Sequence, residues 1–164
     1  MKMQRRAWFA VALGWGMLLG PQLEAAFAKK AKSSFSAQVD GKRLKASRRG
    51  SQGIYATTSF SVAGQTGVRH GLSRTVTAAC LGNLKTLVLP AALDCYGSYI
   101  EARRHGSKEW SRPSGLQVAI ESFDGTRVVG TLQGALDPTA PHASDPPVTV
   151  LGGRFSIILR DAGV

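Results

Sequence analysis

From Phe35 onward apolar and polar residues alternate with a period of two, and this constrains the fold more than any other feature of the chain. Successive side chains of an extended strand point to opposite faces, so such a period sets one face on a core and the other in water. A helix needs apolar spacings of three and four, and no stretch keeps them for the length of a typical helix. Phe35, Ala37 and Val39 take one face; Ser36, Gln38 and Asp40 take the other. Asp40-Gly41 then predicts a hairpin, because a type I′ turn needs positive φ at both central positions, which Asp tolerates and Gly accepts freely. A two-residue loop there sets Val39 opposite Lys42, Ala37 opposite Leu44 and Phe35 opposite Ala46. Leu44 and Ala46 join the apolar face, and Arg43 and Lys45 the outer one.

The same reasoning predicts strands over 54–62, 74–81, 84–89 and 95–103, with a loop over 64–71 and a tight turn at Gly82-Asn83. A helix is the alternative over 73–81, but Thr75, Val76 and Thr77 are β-branched and favour the pleated state. Residues 104–115 read as a loop holding Trp110. Leu116, Val118 and Ile120 alternate up to a second Asp-Gly turn at Asp124-Gly125. A three-residue loop there aligns Ile120 with Gly130 and Val118 with Leu132, keeping Val128 inside and Arg127 out; a two-residue loop would turn Arg127 inward. A Pro-rich connection over 137–147 precedes a last strand pair, 148–151 and 154–159, turning at Gly152-Gly153. Eight or nine strands at this spacing predict an all-β, antiparallel β-sandwich or flattened barrel over residues 35–160.

The run from Ile120-Glu121-Ser122-Phe123-Asp124-Gly125 through Gly134-Ala135-Leu136, then Val148-Thr149-Val150 and Gly153-Arg154-Phe155, resembles uncharacterised bacterial exported β-sandwich domains. The opening Phe35 to Lys42 hairpin is similar to the start of the same domains. The chain departs from them at Leu132, where they often carry Phe, and many of them are lipoproteins, for which this chain lacks a lipobox Cys. The resemblance implies fold and export, and no activity.

Residues 1–28 read as an export signal: Lys2, Arg5 and Arg6 form a basic n-region, 7–19 an apolar stretch, and Ala26-Phe27-Ala28 a cleavage site. Processing after Ala28 would leave 136 of the 164 residues, enough for one domain with a sizeable core and no membrane anchor. Arg5-Arg6 followed by Ala7-Trp8-Phe9 also resembles a twin-arginine signal, and Lys29, Lys30 and Lys32 directly after the apolar stretch disfavour the general secretion channel. The expected address is the periplasm or the medium. In such an oxidising compartment Cys80 and Cys95, the two cysteines of the chain, are expected to pair.

Charge is the lead to function. The mature chain would carry a net charge of +9, and residues 29–49 hold eight bases against Asp40 alone. Residues 29–34 read as a flexible basic tail. Lys42, Arg43, Lys45, Arg48 and Arg49 are the candidate binding residues of the basic stripe, and Trp110 is the candidate anchor of a contact surface formed by loops 104–115 and 137–147. The basic stripe would suit lipopolysaccharide, anionic lipid, acidic glycan or extracellular DNA. The alternatives are a solvated strand face that deters edge aggregation and, for Trp110, a core cap. Interleaved aromatics for base stacking are lacking, which argues against sequence-specific nucleic-acid binding.

Enzyme signatures are not found. There is no G-x-S-x-G elbow, phosphate loop, dinucleotide fingerprint or metal-ligand spacing. His70, His105 and His142 fall in separate loops, and Glu101, Glu109, Glu121 and Asp124 cannot be paired from sequence. The sequence therefore predicts an exported, non-catalytic binding or structural module of the cell envelope without cofactor or metal, its partner an unknown envelope protein or a polyanionic ligand; a polyanion-binding accessory protein acting through residues 29–49 is the alternative, and a small hydrolase the third reading. Its candidate contact loops are 104–115 and 137–147.

Overall fold

The computed structural model describes residues 32–47 and 49–162. The export signal and Arg48 lie outside the described residues, as do Lys29 and Lys30. Ten strands follow in chain order: β1 (Ser34–Val39), β2 (Lys42–Lys45), β3 (Ser51–Ala56), β4 (Ser59–Gln65), β5 (Leu72–Leu81), β6 (Ala91–Arg103), β7 (Gly106–Phe123), β8 (Arg127–Pro138), β9 (Val148–Ile158) and β10 (Arg160–Asp161). They form one sheet in the order β10-β3-β4-β5-β6-β7-β8-β9-β1-β2. Every pair is antiparallel except β10 with β3. Among the described residues no helix is long and apolar enough to cross a membrane.

The first hairpin forms as its residues dictate. Asp40 and Gly41 take φ of 47° and 73°, and Val39 pairs with Lys42 and Ala37 with Leu44. Ala46 N–H donates to the Phe35 carbonyl at 3.0 Å, completing the expected register. Ile120 faces Gly130 and Val118 faces Leu132, also as expected. The route to that register differs. The turn is closed by Asp124 N–H on the Arg127 carbonyl, leaving Gly125 and Thr126 at its tip, and a bulge at Glu121 then shifts the ladder by one residue. The Asp124 carboxylate accepts from the N–H of Arg127 and from the N–H and hydroxyl of Thr126, and these bonds hold its pKa below the usual carboxylate value.

Four expected elements are corrected. Residues 54–62 form two strands, folded at Thr57-Thr58, with Ala56 paired to Ser59. Neither threonine takes a positive φ, so the usual turn residues are unnecessary. The fold reverses the parity of β3 and leaves Ile54 exposed, while Phe60 and Val62 are buried. Residues 84–89 are no strand: Asn83 accepts Lys85 N–H on its side chain and Thr86 and Leu87 N–H on its carbonyl, winding a turn that drops Leu84 into the core. Residues 104–115 are no loop, since β7 starts at Gly106 and only Arg104-His105 turns. Gly152-Gly153 does not reverse the chain either. Gly152, at φ 55°, sits where the ladder slips between β9 and its neighbours, and β9 runs on as a bulged strand.

The inward positions of β1, β2 and β4–β9 merge into one core cluster. The sheet curls into a half-barrel, and two glycines permit the close approach across it. A Cβ on Gly64 of β4 would lie 2.0 Å from the Phe35 ring of β1, and one on Gly53 of β3 would lie 2.5 Å from Leu159. β10 then continues β9 beyond Leu159 and pairs with β3, while Ser47 N–H, just past β2, donates to the Gln65 carbonyl at the end of β4.

Ala79 pairs with Tyr96, which sets Cys80 opposite Cys95, and the two are joined by a disulfide closing a 15-residue separation. Both sulfurs are buried beside the core. The chain-entropy model values such a loop at roughly 3 kcal/mol. A Cys80→Ser/Cys95→Ser variant is accordingly expected to lose about 3 kcal/mol in urea denaturation, and an unchanged midpoint would contradict that role.

Candidate anion-binding surface

Two hairpin tips stand side by side at one end of the sheet, and they carry the same tripeptide. Arg69-His70-Gly71 turns β4 into β5, and Arg104-His105-Gly106 turns β6 into β7. The pairing of Leu72 with Arg103 makes them neighbours. His70 and Gly71 take φ of 51° and 72°, a type I′ turn with an imidazole in the left-handed position, which for a non-glycine residue is a costly place.

The connection after β8 closes over these tips. Glu109 O accepts from both the N–H and the hydroxyl of Thr139, Lys108 Nζ meets Asp145 at 2.8 Å, and Trp110 Nε1–H donates to the Pro146 carbonyl at 3.0 Å. Trp110 is 6% exposed and its ring lies 5.4 Å from that of Tyr99. Of the two roles expected for it, the core cap is the one observed, and it presents no contact surface.

All three histidines of the chain, expected in separate loops, line one cavity of about 930 Å³ together with Arg69, Arg103, Arg104 and Lys108. Its one carboxylate is Glu101, and this is already occupied. Arg74 Nε donates to it at 3.1 Å, the Tyr99 hydroxyl at 2.7 Å, and Arg103 lies at 3.6 Å. Val76 and Tyr99 are inward core residues of β5 and β6; Arg74 and Glu101 follow them in the same alternation, so the pair gives the core a polar end. Burial alone would raise the Glu101 pKa, but the Tyr99 hydroxyl and the Arg74 and Arg103 guanidiniums outweigh it and hold the carboxyl below its ordinary 4.5. Burial and the bond to Glu101 push the Tyr99 phenol up.

A depressed carboxyl stabilises the fold above its unfolded pKa, and this contribution fades as pH falls through the folded value. Glu101→Gln is therefore expected to cost about 1–3 kcal/mol at pH 7 and progressively less as the pH falls below 4.5, as read from denaturation curves across that range. A cost independent of pH would contradict the ionic role.

A second cavity, of about 570 Å³, adjoins the first through the shared Arg69 and Leu72, and is also lined by Arg74, Arg43 and Lys45. Arg43 and Lys45 are shared in turn with a third, of about 290 Å³, on the outer faces of β1, β8 and β9, where Arg154 and Glu121 stand. Shared walls thus join three cavities into one groove with eight bases and two carboxylates. Among the described residues, Arg43, Lys45, Arg69, Arg104 and Arg154 have no carboxylate at ion-pair distance, whereas Glu101 and Asp145 take up Arg74, Arg103 and Lys108.

Of the residues expected to bind, Arg43 and Lys45 lie in this groove. Lys42 and Arg49 are exposed outside its walls. The remaining bases come from β5, the end of β6, the start of β7, the hairpin tips and β9, which read as nearly neutral when charge is counted along the chain. The repeated Arg-His-Gly was the signal that could have found them. Among the described residues no three His, Cys, Asp or Glu side chains are placed to hold a metal ion. No family model, curated protein or solved structure matches the chain.

Proposed function

We propose that this chain is the precursor of an exported β-protein that binds polyanions along the groove from Arg154, past Arg43 and Lys45, to Arg69 and Arg104. The observation that supports it is continuity: bases from β2, β5, β9 and two hairpin tips share cavity walls, and five of them have no carboxylate at ion-pair distance among the described residues. A row of unneutralised cations on a folded surface raises the local concentration of anions and is stabilised by a ligand that brings several negative groups at once. Phe35 and Phe155, which line the groove, are buried and offer no stacking face. Contact is therefore through charge and not through bases, which favours acidic glycan or lipopolysaccharide-like chains over sequence-read nucleic acid.

Export rests on the n-region, the short apolar stretch and the Ala-Phe-Ala site, and the Cys80–Cys95 bond is compatible with an oxidising compartment. A single ladder through all ten strands favours the flattened barrel over two stacked layers. None of the three imidazoles is hydrogen-bonded to a carboxylate or hydroxyl among the described residues, and a binding role fits this better than a hydrolytic one. The test is retention of the processed protein on heparin across a salt series. Arg43→Gln/Lys45→Gln/Arg154→Gln should elute at clearly lower salt than the parent, and equal elution would refute the proposal.

A further inference from the structure

The wide end of the groove is built differently from its flanks. Donors reach it from three separate segments: the first Arg-His-Gly turn, the second, and His142 on the connection that closes over them. Arginine presents a planar fork that matches phosphate oxygens two at a time, and an imidazole N–H adds a single directed donor. Among the described residues Arg69 and Arg104 have no carboxylate at ion-pair distance, while the acid that lines the wall, Glu101, is held by Arg74, Tyr99 and Arg103. An anion entering there meets donors without displacing a resident one. Its volume of about 930 Å³ exceeds one phosphate, and Leu72, Gly71 and Gly106 leave part of the wall uncharged for a carrier group.

We propose that the paired Arg-His-Gly turns and His142 form a seat for a phosphomonoester borne on a group the size of a sugar. A phosphomonoester carries close to two negative charges and three free oxygens, one for each segment that supplies donors. A diester inside a chain offers two oxygens and one charge, and sulfate monoesters carry one charge. His70, one of the residues lining this seat, holds a backbone conformation that is costly for a non-glycine residue, as expected of a residue kept for a contact. The inference rests on the polyanion reading only for the sign of the ligand.

The chain has three histidines and all line the cavity, so their imidazole C–H signals in NMR report on this seat alone. Titration of the processed protein with inorganic phosphate, glucose 1-phosphate, glucose 6-sulfate and glucose, at fixed pH and ionic strength, should shift them saturably with both phosphates and more tightly with glucose 1-phosphate. The sulfate monoester, with one charge, should bind roughly tenfold more weakly than glucose 1-phosphate, and glucose not at all. Arg104→Gln/His105→Gln, at an exposed turn, should abolish the remaining shifts with the amide spectrum otherwise kept, and Arg104→Gln alone should weaken them. Arg43→Gln/Lys45→Gln/Arg154→Gln should leave them intact while losing heparin retention, which separates failure of the seat from failure of the groove. Equal response to the sulfate monoester and glucose 1-phosphate, no response to either, or persistence in the double variant would overturn the proposal.

Discussion

Alanine at Gly64 should destabilise the protein by about 1–3 kcal/mol, although alanine is intrinsically the better strand residue by roughly 0.5–1 kcal/mol. The sign is reversed by packing. A Cβ there would lie 2.0 Å from Cδ1 and 2.2 Å from Cγ of Phe35, and that ring is buried at the start of β1. The contact joins β1 to β4, strands far apart in the sheet order, and so reports on the curl itself. Shortening the ring should relieve the clash. Phe35→Leu will cost stability alone, but Gly64→Ala/Phe35→Leu should be at least about 1 kcal/mol more stable than the two single costs combined. Urea denaturation of the four proteins measures this, and strict additivity would mean that the sheet does not close as described.

The second large effect concerns charge. Neutralising Arg43, Lys45 and Arg154 removes three exposed cations from the groove without touching the core, so stability should stay within about 0.5 kcal/mol of the parent. Binding should respond strongly. For a random-sequence duplex used as a model polyanion, each phosphate contact contributes about 0.9 to the slope of log affinity against log salt, so the slope should fall by about 2–3 and affinity at low salt by on the order of a hundredfold. Lys85→Gln/Arg160→Gln, which removes cations outside the three cavities, should change the slope little. Equal losses in both variants would reduce the groove to a diffuse effect of net charge.

How much of this was legible depended on whether the signal was local. The Asp40-Gly41 turn carries its own backbone requirement, so the register of β1 on β2 could be read from eight residues, and the Ile120 to Gly130 alignment followed from keeping Val128 inside. Thr57-Thr58 carries no such mark, and a two-residue fold keeps alternation going on both sides of it, so β3 and β4 read as one strand. Gly152-Gly153 carried a turn mark and yielded a bulge, because what a positive-φ glycine does depends on the neighbouring strands. The 104–115 segment looked like a loop because its polar residues face solvent at the end of the sheet, yet Trp110 already occupied an inward position. For the candidate site, Arg43 and Lys45 were legible from the run of bases. Arg69, Arg104 and the three histidines were not, because their proximity is created by the pairing of β5 with β6 and by the connection held over Lys108 and Trp110.

The account stands on bases distant in sequence forming one continuous binding surface. Amide NMR of the processed protein titrated with a short heparin oligosaccharide tests this most directly. The account predicts shifts running without a break from Arg154 and Lys45 through Arg69 to Arg104. Shifts confined to residues 29–49, or absent from both Arg-His-Gly turns, would contradict it.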